Sequence, residues 1–231
     1  MLFSETKVAN FINRAFEPVW ESVRPVPLIR IDFGNGNVIT RTLHGNIATY
    51  VCTADAQVLD ILPGIYTPGT YLNRLRQFSL LAQYVDQGGK QPREARLRDY
   101  HHVQAQSLMK YKLPVLLTAE PVGKRAIENR LKKVFLAGRP NEEARSETNE
   151  TFGLPSTEDL ANWKALAEDT RINETVRRQQ IHEILGKSGL VRPAAVTKQL
   201  YKEVLHADLD DPYLGLGNLL FANYPFPDQT R

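Results

Sequence analysis

Apolar residues recur with the period of a strand in one part of this chain of 231 residues and with the period of a helix in another, and this contrast most restricts its fold. Between residues 28 and 62 apolar side chains alternate with polar ones or form short β-rich runs, which is typical of strands. Beyond residue 89 apolar residues recur at spacings of three and four, which is typical of amphipathic helices. Strands followed by helices predict the α+β class, with one domain at 1–89 and a helical region at 90–231.

Two strand pairs are predicted in the N-terminal part. Asn35-Gly36 lies between two alternating runs, which favours a hairpin at about 28–43 because both positions of such a turn require positive φ. The β-rich run Ile47–Thr53 and the apolar run Val58–Leu62 predict a second pair. The loop between the members of the second pair contains Ala56.

Helix signals flank and follow these strands. Ser4 is a suitable N-cap for a helix at 4–16, and Thr67-Pro68 predicts the start of a helix that ends at Gly88-Gly89. Pro193 is placed to open the last helix. Further helices are predicted at 93–109, 123–136, 172–185 and 194–205 and after Ser156, with a mobile polar loop at 139–155 and a docked tail at 212–227.

Composition excludes several classes of protein. A net charge of +3 is too small to indicate nucleic acid or an anionic membrane by itself. No run reaches the roughly 18 apolar residues that span a bilayer, and the start lacks the apolar region of a secretory signal. Cys52 is the single cysteine, so an intrachain disulfide, a Cys-x-x-Cys pair and a cysteine zinc cage are excluded. The sequence does not predict a compartment.

The residues that could carry chemistry are expected to have ordinary structural roles. Cys52 lies within a β-run and is predicted to be a small buried hydrophobe. His101 and His102 are adjacent on a helix and point about 100° apart, so they are predicted to face solvent or cap a helix rather than share a metal. His44, His182 and His206 are not expected to bind a metal, because none has a carboxylate or second histidine at a spacing that we regard as typical of a ligand set. We therefore expect no catalytic residue, metal or cofactor.

Two short motifs near the C-terminus fail as ligand sites. Asp208-x-Asp210-Asp211 lacks the glycine and glutamate of a calcium-binding EF-hand loop, which favours a turn. Gly215-Leu216-Gly217 lacks the third glycine of a dinucleotide-binding loop. Neither motif changes the expectation that no cofactor is bound.

Residues of about 3–85 resemble the second half of a thioredoxin-like domain. The resemblance is carried by Phe3-Ser4-Glu5-x-x-Val8-Ala9-x-Phe11-Ile12, by Tyr50-Val51 through Val58-Leu59-Asp60, and by Pro63-Gly64-x-x-x-Pro68-x-x-Tyr71-Leu72-x-x-Leu75. The redox Cys-x-x-Cys and the cis-proline expected near Ala48 are absent, and a hairpin replaces a helix. Ala56 replaces the usual turn glycine, which predicts a strained backbone there.

The resemblance implies a redox-inactive thioredoxin-fold protein that acts as a protein-binding or structural subunit. Because the family's first strand is missing, the sheet is expected to leave an edge that invites a protein partner or a second copy. His44 and Asn46 lie where the family has its binding loop. The aromatic tail supplies the other expected contact residues, which are Tyr213, Phe221, Tyr224 and Phe226.

Two alternatives remain open at this point. The first is a thiol–disulfide oxidoreductase that uses Cys52 with a thiol of a partner. The second is a nucleic-acid-binding module that uses residues 87–133. This range contains eleven basic and four acidic residues. Nucleic acid is the less expected partner because few aromatic residues accompany the basic ones.

Overall fold

The computed structural model describes residues 2–25, 27–42, 47–87, 91–117 and 157–216, and it confirms the α+β class. The predicted helix at 123–136, the polar loop at 139–155 and the part of the tail from residue 217 onward lie outside the described residues. No helix in the described ranges is both long and apolar enough to cross a membrane.

Both predicted strand pairs are confirmed. β1 (Leu28–Asp32) pairs antiparallel with β2 (Val38–Thr42), and β3 (Ala48–Cys52) pairs antiparallel with β4 (Val58–Pro63). The two pairs form separate two-stranded sheets among the described residues.

The turns of the two strand pairs place positive φ at different kinds of residue. In the first hairpin Gly34 and Gly36 take positive φ, whereas Asn35 does not, so the prediction that both Asn-Gly positions do so was wrong. A five-residue connection places the left-handed positions at two glycines, where no Cβ opposes them. Ala56 has a φ of 59°, which confirms the predicted left-handed position between β3 and β4.

Six α-helices occupy most of the remaining described residues. They are α1 (Thr6–Ala15), α2 (Pro68–Asp86), α3 (Arg93–Tyr111), α4 (Thr157–Ile172), α5 (Arg178–Ser188) and α6 (Pro193–Gln199). The π-helical turn Asn173–Arg177 joins α4 to α5, and a second one, Leu200–Val204, extends α6. Pro68 and Pro193 open α2 and α6 as predicted. Ser4 is not the N-cap of α1, because Ser4 ends a 3-10 turn and Glu5 takes the cap position.

The β3–β4 sheet is buried between two apolar clusters. On one face Val51 and Leu62 pack with α1, α2 and α3, and on the other face Val58 and Ile61 pack with α5 and α6. Successive residues of a strand point to opposite faces, so each strand contributes to both clusters. Every residue of β4 is buried. Strands that are covered on both faces usually lie in the interior of a larger sheet, and this two-stranded sheet has the same surroundings.

Candidate functional site

Backbone hydrogen bonds alternate along the β3–β4 pair. The Gly64 N–H donates to the Ile47 carbonyl at 2.6 Å. In an antiparallel pair, residues bond across to the partner strand at every second position. With the observed register, Thr49 and Val51 therefore bond to β4.

The intervening residues of β3 direct their backbone groups the other way. The N–H and C=O of Ala48, Tyr50 and Cys52 point away from β4, toward the outer edge of the sheet. None of these groups forms a backbone hydrogen bond with another segment in the ranges that the structure describes. The three residues are only partly buried. We call this set of outward backbone groups the β3 edge.

The opposite edge of the sheet is closed by two side chains and by one backbone carbonyl, that of Val191, which accepts from the Val58 N–H at 2.8 Å. The outward N–H of Ile61 donates to Asp60 Oδ1 at 2.8 Å, and the Ile61 carbonyl accepts from Arg178 Nη1 at 3.1 Å. The next outward position is Pro63, which has no N–H to satisfy. Asp60 and Arg178 thus take the place of a neighbouring strand along β4.

The Asp60–Arg178 ion pair is fully buried. Arg178 Nη1 and Nη2 donate to the two carboxylate oxygens of Asp60 at 3.2 and 2.9 Å, and both side chains have 0% exposure. The Tyr100 hydroxyl adds a bond to Asp60 Oδ2 at 3.2 Å. Two-point contact between guanidinium and carboxylate is the geometry in which a buried charge pair is best compensated.

The pKa shifts of this pair follow from its geometry. Burial by itself would raise the pKa of Asp60, but the charge and hydrogen bond of Arg178, together with the two histidines, hold that pKa well below its usual range. Burial would lower the pKa of Arg178, but Asp60, together with Tyr100, Glu174 and Tyr66, raises it. Both groups therefore remain charged across the physiological pH range.

A chain of hydrogen bonds continues from Arg178 through two histidines. Arg178 Nη2 contacts His182 Nε2 at 3.0 Å, and His182 Nδ1 contacts His101 Nδ1 at 2.9 Å. Arginine only donates, so His182 Nε2 accepts and the ring proton of neutral His182 lies on Nδ1. His101 Nδ1 then accepts, and the proton of neutral His101 lies on Nε2. We assign these tautomers from the bonding pattern.

Both histidines are held neutral. Burial lowers the pKa of His101 to about 4, although Asp60 opposes this shift. Burial also lowers the pKa of His182 well below its ordinary value, again against Asp60. A proton added to either ring would enter a site that already contains the Arg178 charge.

Three residues of this network are also candidate metal ligands. Asp60, His101 and His182 each offer a ligand atom, and these atoms lie within 4.8 Å of one another, which is compatible with a three-ligand centre. However, the only lone pair in the ring plane of neutral His182 already accepts from Arg178. A divalent ion would have to displace this guanidinium and withstand its charge. We assign the three residues to an ion-pair network and not to a metal centre.

The π-helical turn brings further polar groups to this region. Arg74 on α2 forms a two-point ion pair with Glu174. Asn173 Nδ2 donates to the Ile65 carbonyl at 2.8 Å, directly after β4. The wider turn allows one helix to place Asn173, Glu174 and Arg178 on the side that faces the sheet. π-helical turns are frequent at functional sites.

Two buried polar atoms around this network, Tyr66 Oη and Arg178 Nε, make no hydrogen bond with other described residues, whereas the His101 ring interacts with the Leu59 backbone. A buried donor without a partner typically costs about 1–3 kcal/mol. The network is therefore only partly satisfied by protein groups, and its stabilising effect comes from the ion pair and from capping the edge.

Sequence reasoning misjudged the histidines. His101 was predicted to face solvent or cap a helix, but its side chain is fully buried and contacts His182, while its neighbour His102 is exposed. The prediction that His182 has no partner was also wrong, because folding brings it to His101 and near Asp60. These residues lie on α3, α5 and β4, and no local spacing could relate them. A single signal was present: Asp60 lies within an otherwise apolar strand.

The other candidate residues have mixed outcomes. Cys52 is only partly buried, where full burial was expected, and burial raises the pKa of its thiol. Asp208 and Asp211 form turns, as predicted, by accepting from the N–H groups of Asp210 and Tyr213. Tyr213 is about half exposed in that turn. The remaining predicted contact residues, His44, Asn46, Phe221, Tyr224 and Phe226, lie outside the described residues.

Comparisons with protein-family models, with curated proteins and with solved structures found no match for this chain. Function must therefore be inferred from the geometry of the sheet and its two edges.

Proposed function

We propose that this chain is a non-catalytic protein-binding or structural component that accepts an extended strand at the β3 edge. The observation that carries this proposal is the set of outward N–H and C=O groups on Ala48, Tyr50 and Cys52, which no other described segment bonds. An added strand would pair with each group, at a net gain of about 0.5–1.5 kcal/mol per bond. Burial of β3 between helices favours an ordered partner strand.

The proposal includes a partial thioredoxin-like arrangement of residues 2–86. The order α1, β3, β4 and α2 agrees with the resemblance, and Gly64, at a φ of 73°, connects β4 to α2 as the motif implies. In that resemblance, strands from earlier in the sequence would continue the sheet beside β3. The β1–β2 hairpin does not take this position, because it forms a sheet of its own.

The environment of Cys52 argues against the oxidoreductase alternative. Burial raises the pKa of its thiol, and the thiolate is the reactive form in disulfide exchange. The side chain also packs against the apolar cluster formed with α5 and α6. We therefore assign Cys52 to packing.

The nucleic-acid alternative has no specific support in the described residues. Arg93 and Arg98 form ion pairs with Asp86 and Glu94, and Arg96 donates to the Val85 carbonyl. These arginines are bonded to groups of the chain itself, so they do not form an open surface for phosphates.

A short strand-forming peptide tests the proposed function. The probe is a labelled seven-residue peptide of alternating Thr and Val, flanked by lysines, added to the full chain at a dilution where light scattering gives the mass of one chain. We expect saturable binding by fluorescence anisotropy and slower amide exchange at Ala48, Tyr50 and Cys52, with little change at Thr49.

Two variants at one position provide the control. Ala48→Pro removes an outward N–H and should weaken peptide binding at least tenfold, whereas Ala48→Gly keeps that N–H and should retain binding. Equal binding by both variants, or saturation without slower exchange at these amides, would overturn the proposal.

A further inference from the structure

We infer that the strand added at the β3 edge is β3 of a second copy of this chain, paired antiparallel about Tyr50. This inference rests on the proposed function and specifies its partner. The arrangement is a two-fold symmetric dimer with the continuous strand order β4–β3–β3–β4.

The outward positions of β3 fit this register. Ala48 of each copy would lie opposite Cys52 of the other, and the two Tyr50 residues would lie opposite each other. Ala48, Tyr50 and Cys52 are all outward-facing positions, so the two residues of each pair can form both backbone hydrogen bonds with each other. β3 contains no charged residue and no proline, so no like charges meet across the axis.

The other sheet offers a less suitable edge. Antiparallel self-pairing of β1 about its centre would place Arg30 opposite Arg30 of the second copy, and β2 carries Arg41. Charged residues of this kind commonly protect strand edges from pairing. β3 is the described strand that lacks this protection.

The helices that cover β3 favour a second copy over an isolated peptide. Thr49 bonds the Tyr71 hydroxyl of α2 on one face, and Tyr50 bonds Thr197 of α6 on the other, both at 3.1 Å. A strand added beside β3 needs apolar cover on both faces. A second copy brings its own α2 and α6 layers with its strand, whereas a bare peptide brings none.

The capped β4 edge explains why this assembly would contain two copies and not more. The outer strands of the dimer sheet would both be β4, and Asp60 and Arg178 already satisfy the outward groups of Ile61. One open edge and one closed edge per chain give a closed pair, whereas two open edges would give a fibre.

Oligomeric state gives the first test. Light scattering coupled to size-exclusion chromatography should give twice the 26.2 kDa mass of the chain for the natural sequence and for Ala48→Gly. Ala48→Pro should give the mass of one chain, with an unchanged circular dichroism spectrum. A natural sequence that remains monomeric at the highest concentration measured would overturn the inference.

The natural Cys52 allows a test of register that does not depend on a proline variant. Residues opposite each other at such a pair have Cα atoms about 5.5 Å apart, within the range for a disulfide. Ala48→Cys should therefore form a covalent dimer through Cys52 of the second copy under mild oxidation. Within one chain the two positions are four residues apart on a strand, roughly 13 Å, which is too far to bridge.

Two controls separate this register from chance encounters. Ala48→Cys with Cys52→Ser should lose the covalent dimer, and Thr49→Cys, whose side chain lies on the other face, should not form one. Equal cross-linking by any control would overturn the register. If the Thr-Val peptide binds at the β3 edge while the chain stays monomeric, the proposed function stands and self-pairing fails; loss of both results refutes both.

Discussion

The two edges of one sheet are completed in different ways. Along β4, side chains supply what a neighbouring strand would supply: a carboxylate accepts from the Ile61 N–H and a guanidinium donates to its carbonyl. Along β3, the outward groups of Ala48, Tyr50 and Cys52 have no such substitutes in the described part of the chain. The sheet lies between the same two apolar clusters, but β4 is fully buried whereas β3 is partly exposed, so an uncapped polar group would cost more along β4.

The comparison indicates how a small sheet can select the side at which it pairs. Capping the β4 edge required a buried ion pair and two neutral histidines, which is an expensive arrangement in apolar surroundings. Such an arrangement removes one pairing site permanently. Among the described strands, the uncapped β3 edge is the position at which we propose that strand addition leads to a defined assembly.

The largest expected effect comes from removing the guanidinium that caps β4. Arg178→Met leaves the Asp60 charge buried without its partner, so we expect the free energy of unfolding to fall by about 3–5 kcal/mol. Urea denaturation provides the measurement. Arg171→Met, which removes an exposed partner of Glu168, is the matched control and should leave stability nearly unchanged. A similarly small change for Arg178→Met would show that the cap is dispensable.

Low pH should lower the free energy of unfolding, because the buried histidines next to Arg178 are neutral in the folded chain. The pKa of His101 is about 4 in the folded chain and 6.5 in its ordinary state, so the unfolded chain binds more protons between these values. Stability is therefore fully present above pH 6.5 and falls as the pH drops toward 4, by about 3 kcal/mol from this residue at 1.36 kcal/mol per pKa unit.

Urea midpoints measured from pH 7.5 to 4.5 test this pH dependence. His102→Gln alters the exposed neighbour and is the matched control, whereas His101→Gln removes one of the two buried rings and should reduce the pH dependence, leaving the part due to His182. A natural protein whose midpoint stays constant over this range would contradict the assignment of neutral buried histidines.

The alternation along β3 predicts opposite tolerance to proline at neighbouring positions. Thr49→Pro removes a bond to β4 and leaves a buried carbonyl unsatisfied, so it should lower the free energy of unfolding by about 1–3 kcal/mol or more. Ala48→Pro removes an outward N–H and should lower the stability of the monomer by less than about 1 kcal/mol. Equal losses in urea denaturation would mean that the inferred bonding pattern is wrong.

The smallest expected effect on stability comes from substitutions at the connection between β4 and α2. A Cβ on Gly64 would lie 2.9 Å from Asn173 Nδ2, and φ is 73° there, so Gly64→Ala should cost about 1–2 kcal/mol. Gly69 lies in the first turn of α2 with open space around its Cβ position. Gly69→Ala should leave thermal stability unchanged or raise it by up to about 1 kcal/mol. Destabilisation by both would indicate a general intolerance of this region.

Local patterns were sufficient to predict the elements but not the site. Period-two alternation predicted both strand pairs, and Pro68 and Pro193 marked the starts of two helices, because these signals act between near neighbours in sequence. The capping network joins Asp60 with residues more than 100 positions away. Such contacts are set by how helices pack on the sheet, and the one local signal in the sequence is the carboxylate of Asp60 within an otherwise apolar strand.

The errors in the prediction have the same origin. Adjacent His101 and His102 were judged as a pair on one helix, where they cannot share a ligand, and this reasoning is correct locally. It could not detect that His101 faces α5, where His182 completes the chain from Arg178. Likewise, an open sheet edge was expected from the resemblance, whereas the capping of the β4 edge depends on the contacts of Asp60 and Arg178.

Residue-resolved amide exchange on the dilute, monomeric chain tests the central claim most directly. The β3 edge predicts fast exchange at Ala48, Tyr50 and Cys52, slow exchange at the interleaved Thr49 and Val51, and slow exchange at the capped Ile61. Uniformly slow exchange along β3, or fast exchange at Ile61, would contradict the distinction between the two edges.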